Sequence, residues 1–414
     1  MWDPRTRCWR APAWRYHELA PRTGSALVPT DAARLPAPAL RPYQETALDA
    51  WEAAGRRGVV VLPTGAGKTR TALAAIARTG LSALCVVPTN VLVAQWRAAL
   101  AAGGVPDVGQ LADGDRDVRR VTVATSASAR LHAHHLGDRF ALLVVDECHH
   151  HGGQDETLEL YAAPARLGLS ATPPDDPAAQ ARLDQLVGPV VFRVGIDDLA
   201  GSFLADYDLV QLPLDLEPAE ARAYAEEMAR FRAVHGPWTQ QAADRSWAAF
   251  VRDVSRTDEG RAALAAWRRA RERVAWPPAK DQALATLLHT HRHARTLVFT
   301  RDNAVAYTIA RRHLVAPLTC DTGKAEREAL LRRFADGTLR ALVSARVLNE
   351  GVDVPAADVA VLTGGSHGGR EYVQRIGRVL RPGPDKRALV VELVVRGTFE
   401  TRQLERNRSR LAAS

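Results

Sequence analysis

The segment GVVVLPTGAGKTRTALAAIARTG, residues 58–80, constrains this chain more than any other. A β-favouring run enters a loop with two glycines and then an alanine-rich stretch of helical composition. That order sets backbone N–H groups and the positive end of a helix where a phosphate can sit. Gly65 and Gly67 let the backbone wrap phosphates, with Thr64 and Ala66 completing the loop. Lys68 can reach the β- and γ-phosphates of ATP, and the Thr69 hydroxyl can hold Mg²⁺. The strict spacing of such a loop has glycine at position 62, where this chain carries Leu62. A glycine-rich turn with an incidental lysine is the bland alternative, and strand, helix and GKT together count against it.

The surrounding pattern extends the reading. From about residue 58 to 194 the runs GVVVL, ALCVV, VTVAT, FALLVVD, RLGLS and PVVFRV alternate with Ala- and Leu-rich segments. This rhythm predicts a parallel sheet covered by helices, because parallel strands need crossover connections. Residues from about 217 to 277 carry helical composition and no strand, ended by Pro277 and Pro278, and read as a helical insertion. Then RTLVFT, RALVSA, DVAVLT and RALVVELV restore the alternation. The expected fold class is therefore α/β, with two α/β units over 36–204 and 205–414, the second carrying the insertion. Two such units suggest a cleft. Residues 1–35, with Trp2, Trp9 and Trp14, form a tail too short for a core of its own.

Composition narrows the partners. The 414 residues carry a formal charge of +8, which suits a polyanion such as nucleic acid. Arg supplies almost all of it, with lysines only at 68, 280, 324 and 386, so a coding bias towards Arg, Ala and Pro is an alternative source. Cys8, Cys85, Cys148 and Cys320 are scattered without a C-x-x-C pair, as expected of reduced thiols in a cytosolic protein. The N-terminus lacks an apolar leader and no run is long enough to cross a membrane, so a cytoplasmic protein of prokaryotic cytosol or nucleoid is expected.

A phosphate loop needs an acidic partner, and VVDE at 144–147 supplies one at a strand's C-terminal end. Asp146 is the expected Mg²⁺ ligand, and Glu147 the group that orients and deprotonates the attacking water. The next four residues, Cys148 to His151, invite a zinc reading. Four consecutive side chains cannot surround one ion tetrahedrally, so zinc is set aside. His150 and His151 read as solvated loop imidazoles and Cys148 as a small buried spacer.

Taken in order, LRPYQ (40–44), LPTGAGKT, VVPTNVLVAQW (86–96), VATSAS (123–128), DECH (146–149), LSATP (169–173), LVFTRDN (297–303), VLNEGVDVP (347–355) and EYVQRIGRVLRP (371–382) resemble the motifs of superfamily 2 helicases. The closest likeness is to XPB-type DNA helicases. Residues 2–19 resemble the tail joining that family's damage-recognition domain to its motor, and YDLVQLPLDLEPAEARAYAEE (207–227) with the helices after it resembles the family's thumb-like insertion. Where the family carries an Arg-Glu-Asp element after its SAT motif, this chain reads PPDDPAAQ, keeping Asp175 and Asp176 without the Arg.

The resemblance implies two RecA-like domains, ATP and Mg²⁺ as cofactors, and sequence-independent movement along single-stranded or forked DNA with 3′-to-5′ polarity, in DNA repair. It implies that Gln44 reads the adenine edge beside Arg41. Gly351 and Asp353 meet the nucleotide, Arg378 and Arg381 act as arginine fingers, and Gln374 and Arg375 position water and couple the domains. His149 is expected to bond across the cleft, with Ser170 and Thr172 linking hydrolysis to movement. Thr89, Gln95, Thr125, Thr300 and Arg301 are the candidate nucleic-acid contacts, gripping phosphates without reading bases. The tryptophans of the insertion read either as base-stacking platforms or as the core of a helical hairpin. A monomer is expected, and repair or nuclease partners are not legible. Alternatives are an RNA helicase, a double-stranded-DNA translocase of a defence system, or a nucleotide-switched clamp with weak unwinding.

Overall fold

The computed structural model describes residues 2–5, 7–23, 28, 35–153, 155–174, 176–242, 245–345, 357–364, 372, 375–377 and 387–413. The chain divides into two compact units, the first chiefly Met1–Leu204, the second chiefly Ala205–Leu348 and Val354–Ser409.

In the first unit the valine-rich runs become strands because they are largely apolar along their length, the pattern of a strand covered on both faces, and the less apolar VGQLA and the exposed DRD join them at one edge. They are β1 (Arg57–Val61), β2 (Ala83–Val87), β3 (Val108–Ala112), β4 (Asp115–Asp117), β5 (Val121–Thr125), β6 (Leu142–Asp146), β7 (Ala165–Ser170) and β8 (Val190–Arg193). The sheet order is β8-β1-β7-β6-β2-β5-β3-β4, parallel except that β4 closes the edge antiparallel to β3. Every residue of β2, β5, β6 and β7 is buried. Helices α1 (Pro42–Ala53), α2 (Lys68–Thr79), α3 (Asn90–Ala102), α4 (Ser126–Leu136) and α5 (Pro177–Leu186) cover it. Trp14 of the N-terminal segment packs on this unit's core, so that part of the tail is a cover for the first unit.

The second unit holds β9 (Asp206–Leu214), β10 (Thr296–Phe299), β11 (Ala316–Leu318), β12 (Ala341–Ser344), β13 (Val359–Leu362) and β14 (Arg387–Val395), all parallel, in the order β9-β14-β13-β10-β12-β11. The stretch read as the start of the insertion, YDLVQLPL, is instead β9, paired residue for residue with β14. The insertion proper is α6 (Pro218–Gln241), α7 (Trp247–Val254) and α8 (Asp258–Ala275), followed by α9 (Pro278–Thr290). Their apolar faces meet in a core of Tyr224, Phe231, Phe250, Leu264 and Val274 that also takes Val395 from the end of β14. The C-terminal helix α10 (Phe399–Ala413) begins beside it. No described helix is long and apolar enough to cross a membrane.

Candidate active site

The phosphate loop lies between β1 and α2. Gly65 and Gly67 hold φ of 87° and 84°, a region that disfavours a side chain, and Gly67 caps α2. What shapes the loop is a bracket from α1. The Tyr43 hydroxyl donates to the Ala66 carbonyl at 2.7 Å, and Gln44 Nε2 donates to the same oxygen at 3.0 Å and to that of Gly67 at 3.3 Å. In a trans peptide C=O and N–H point opposite ways, so fixing these two carbonyls towards Gln44 turns the N–H groups of Gly67 and Lys68 away from it.

Gln44 also fixes the start of α1. It is 1% exposed, and its Oε1 accepts from the Arg41 N–H at 3.0 Å. Both amide protons are spent on the loop, while Oε1 keeps a second lone pair beside the bond from Arg41. Arg41 donates to the Tyr43 hydroxyl and to the Phe203 carbonyl, both at 3.2 Å, over the Phe203 ring. Tyr43 and Phe203 were not singled out from sequence, although Tyr43 stands between the two residues that were.

Asp146 ends β6 and is buried. Its Oδ2 accepts from Trp96 Nε1 on α3 at 2.9 Å and its Oδ1 from the Glu147 N–H at 3.0 Å. Burial pushes this carboxyl up to about 6, with Glu147 adding to the rise, while Lys68 and the Trp96 bond pull it back. Trp96 is 1% exposed and is the functional side chain that sequence reading missed. Its signal was its place at the end of VVPTNVLVAQW.

Glu147 takes a left-handed backbone, φ 46° and ψ 47°, before a 3₁₀ turn over Cys148–Gly152. A non-glycine residue there costs about 1–3 kcal/mol and persists where its surroundings hold it. Its Oε1 lies 3.9 Å from Lys68 Nζ, which also donates to the Leu62 carbonyl at 3.4 Å. Its Oε2 is buried without a hydrogen bond, 3.5 Å from His149 Nδ1.

His149 is buried, with Nδ1 3.0 Å from Ser170 Oγ. That hydroxyl donates to the Thr172 carbonyl at 2.6 Å and accepts from the Thr172 N–H at 3.1 Å. With its one proton committed, Ser170 accepts at His149, which places the ring proton on Nδ1. Within the first unit Glu147, His149, Ser170 and Thr172 form one chain. His151 corrects an expectation. It is 1% exposed rather than solvated, with Nδ1 2.9 Å from Asp155 Oδ2 and Nε2 3.4 Å from Ser126 Oγ. Cys148 is wholly buried.

Of the nucleic-acid candidates, Thr89 and Thr125 are the N-caps of α3 and α4, accepting from Leu92 and Ser128 N–H groups at 3.4 and 3.2 Å. Gln95 is half-buried on α3. Thr300 does not face solvent. It is fully buried, and its hydroxyl donates to the Asp302 carbonyl at 3.0 Å. Arg301 is half-buried beside Asp302. Arg375 is turned inward rather than presented on an exposed basic face. It is 1% exposed, donates to the Ala345 carbonyl at 2.7 Å and to that of Thr300 at 3.3 Å, and stacks over Phe299. Asp176 caps α5 through the Ala179 N–H. Gly351, Asp353, Gln374, Arg378, Arg381 and Asp175 lie outside the described residues.

Asp146 and Thr69 offer a carboxylate and a hydroxyl, the oxygen set a hard divalent ion takes. A buried carboxyl with a raised proton affinity, beside the unbonded Glu147 Oε2, is a place where a cation's charge is favourable. The residues therefore fit Mg²⁺ accompanying ATP.

Two family models match the chain: "Type III restriction enzyme, res subunit" over residues 37–175, and "Helicase conserved C-terminal domain" over residues 279–383. With the two parallel sheets and the loop-and-carboxylate site, they define the class as a helicase-type ATPase with two RecA-like domains. The chain is 36% identical over 89% of its length to a DNA 3′-5′ translocase XPB2 of Sulfurisphaera tokodaii, covering 84% of that protein. It belongs to the XPB family of DNA helicases and translocases. A putative DNA 3′-5′ helicase Rad25 of Halobacterium salinarum is 32% identical over 87% of the chain, which spans only 55% of that relative's length. A DNA 3′-5′ helicase XPB of Mycobacterium tuberculosis is 28% identical over 84% of the chain, which spans 58% of it. The Pyrococcus furiosus Hef helicase domain aligns with a TM-score of 0.56 over 89% of this chain and 98% of its own at 17% identity, a likeness of fold.

Proposed function

We propose that this chain hydrolyses ATP to move 3′-to-5′ along DNA, in the service of repair. The observation that carries the reading is the convergence of Lys68 and Glu147 to 3.9 Å beside an Asp146 held by Trp96. Loop N–H groups and Lys68 take the phosphates, and Glu147, with an unbonded buried oxygen, takes a proton from the attacking water. Mg²⁺, when bound by Asp146 and Thr69, neutralises phosphate charge. Arg378 and Arg381 are proposed to stabilise the transferring phosphoryl group, with Gln374 ordering the water and Gly351 and Asp353 meeting the nucleotide.

The chain from Glu147 through His149 to Ser170 and Thr172 carries the nucleotide state to the SAT segment. Thr89 and Thr125 are helix N-caps, where backbone N–H groups favour phosphates, and Gln95 lies one turn further along α3, so the grip they offer is independent of sequence. With PPDDPAAQ lacking the family's Arg, translocation is proposed to be stronger than strand separation. The test compares ATPase stimulation by single-stranded DNA, duplex DNA and RNA, and strand displacement on 3′- and 5′-tailed duplexes. Glu147→Gln should lower stimulated turnover at least about 100-fold. Stimulation by RNA alone, or turnover of Glu147→Gln at the wild-type rate, overturns the reading.

A further inference from the structure

A second concavity lies within the other unit, far from the phosphate loop in sequence. Helices α6, α7 and α8 of the insertion, the Arg301–Asp302 turn after β10 and the start of α10 enclose a cavity of about 1510 Å³. Small-molecule sites are about 300–1,000 Å³, so this one suits a stretch of polymer rather than a cofactor.

Its walls combine two chemistries. Six arginines, Arg232, Arg268, Arg271, Arg301, Arg402 and Arg406, face three carboxylates, Glu272, Asp302 and Glu405. Among the described residues Arg232, Arg268 and Arg402 make no hydrogen bond or ion pair, whereas Arg301 pairs with Asp302 through Nε at 3.3 Å and keeps Nη1 buried without a partner. Cations left without counter-ions around a concave surface favour a polyanion. The other wall is aromatic. Trp247 and Trp267 stand with ring centroids 4.5 Å apart, tilted by 36°, and Arg271 lies over Trp267 at 4.6 Å and over Phe399 at 4.9 Å.

Trp267 belongs to the insertion's core packing, but Trp247 is 43% exposed, more than an indole kept for core packing alone. Burial has already drawn Arg271 down to about 10, so this guanidinium is partly stripped of water and held against the rings. An acidic peptide would use the arginines and leave the exposed indole idle. Unpaired bases on a phosphate backbone use both, because each base offers a face to stack and each link a negative charge.

We infer that this cavity is a base-stacking subsite for single-stranded DNA, seating an unpaired base on Trp247 while the arginines hold the flanking phosphates. The inference rests on the DNA reading above and adds to it a contact that senses whether a base is present and unpaired. The phosphate contacts of the first unit would not distinguish these states.

The experiment measures binding of the full chain to a single-stranded oligonucleotide and to the same strand with consecutive abasic sites, by anisotropy at several salt concentrations. Wild type should prefer the intact strand by about 5- to 150-fold, the range that stacking one base gives. Trp247→Ala should erase that preference without changing the salt slope, Trp247→Phe should restore part of it, and Arg402→Ala should reduce the slope by about 0.7. If wild type binds DNA but treats intact and abasic strands alike, or if Trp247→Ala keeps the preference, the subsite is wrong and the DNA reading stands. Competition by poly-glutamate with no preference for bases would assign the cavity to a protein segment and overturn it. Absence of any binding or ATPase stimulation by DNA would overturn both.

Discussion

Replacing Trp96 by Phe tests whether Asp146, the proposed Mg²⁺ ligand, is oriented by a residue that is not itself proposed to touch metal or nucleotide. The indole N–H donates to Asp146 Oδ2 at 2.9 Å, and both groups are buried, so water cannot replace the lost donor. A hydrogen bond to a charged group is worth about 1.5–3 kcal/mol. Phenyl fills most of the indole's space, and the atoms lost add about 1 kcal/mol. Chemical unfolding of the first unit should therefore show a loss of about 2.5–4 kcal/mol. Removing the partner that orients a metal ligand typically costs about 10–100-fold in metal affinity or activity. The apparent half-saturating Mg²⁺ concentration for DNA-stimulated ATPase should rise about tenfold or more, while turnover at saturating Mg²⁺ recovers towards wild type. That split separates orientation of Asp146 from loss of the fold, which would lower turnover at every Mg²⁺ concentration. If Mg²⁺ half-saturation stays within twofold of wild type and the stability loss is under about 1 kcal/mol, Trp96 does not hold Asp146 and the reasoning fails.

The second unit offers a stability test. Lys280 Nζ donates to Glu400 Oε1 at 2.7 Å and to the Val274 carbonyl at 2.8 Å, with both side chains almost wholly buried. Lys280→Met should cost about 3–5 kcal/mol by removing the buried cation that Glu400 faces, and adding Glu400→Gln should recover most of it. A single-variant loss below about 1 kcal/mol would show that the carboxylate reaches water. Asp155 gives a pH test. The His151 imidazole, then the Thr157 hydroxyl and N–H, hold its carboxyl below the usual range. A depressed carboxylate stabilises the fold above its unfolded pKa, 3.8, and loses that contribution as pH falls towards the folded value. The melting-temperature gap between wild type and Asp155→Asn should be full at pH 6 and shrink below about pH 4. A gap that widens on acidification would refute the assignment.

Both parallel sheets were legible in the sequence because their strands are short apolar runs set off by helical segments, and burial on both faces demands such runs. Strands without that signature escaped. VGQLA carries Gly109 and Gln110, DRD is wholly exposed, and YDLVQLPL alternates half-buried and exposed residues along a sheet edge. The loop and DECH gave up their residues because glycine, lysine and paired carboxylates at fixed spacing have few other uses. Their supports did not. Trp96 and Gln44 are fixed by partners on other elements, Asp146 and the Ala66 carbonyl, and no local spacing encodes a contact 50 or 22 residues away. Thr300 and Arg375 misled for the converse reason: a hydroxyl and a guanidinium suit a phosphate and a backbone carbonyl equally well, and tertiary burial decides between them.

The left-handed residue at Glu147 ties these parts together. Along an extended strand successive side chains alternate between faces, so a straight continuation of β6 would separate Asp146 from Glu147 and carry His149 onward with it. One left-handed residue breaks the alternation. It lets Asp146 meet Trp96, Glu147 approach Lys68, and His149 fold back to Ser170 at the end of the neighbouring strand β7. Glycine would take that backbone with less strain but would leave no carboxylate there. Retaining Glu at 147 therefore costs about 1–3 kcal/mol of local strain. The three contacts that hold the turn are the same contacts the proposed hydrolysis uses, so loosening the turn and weakening the chemistry are one event.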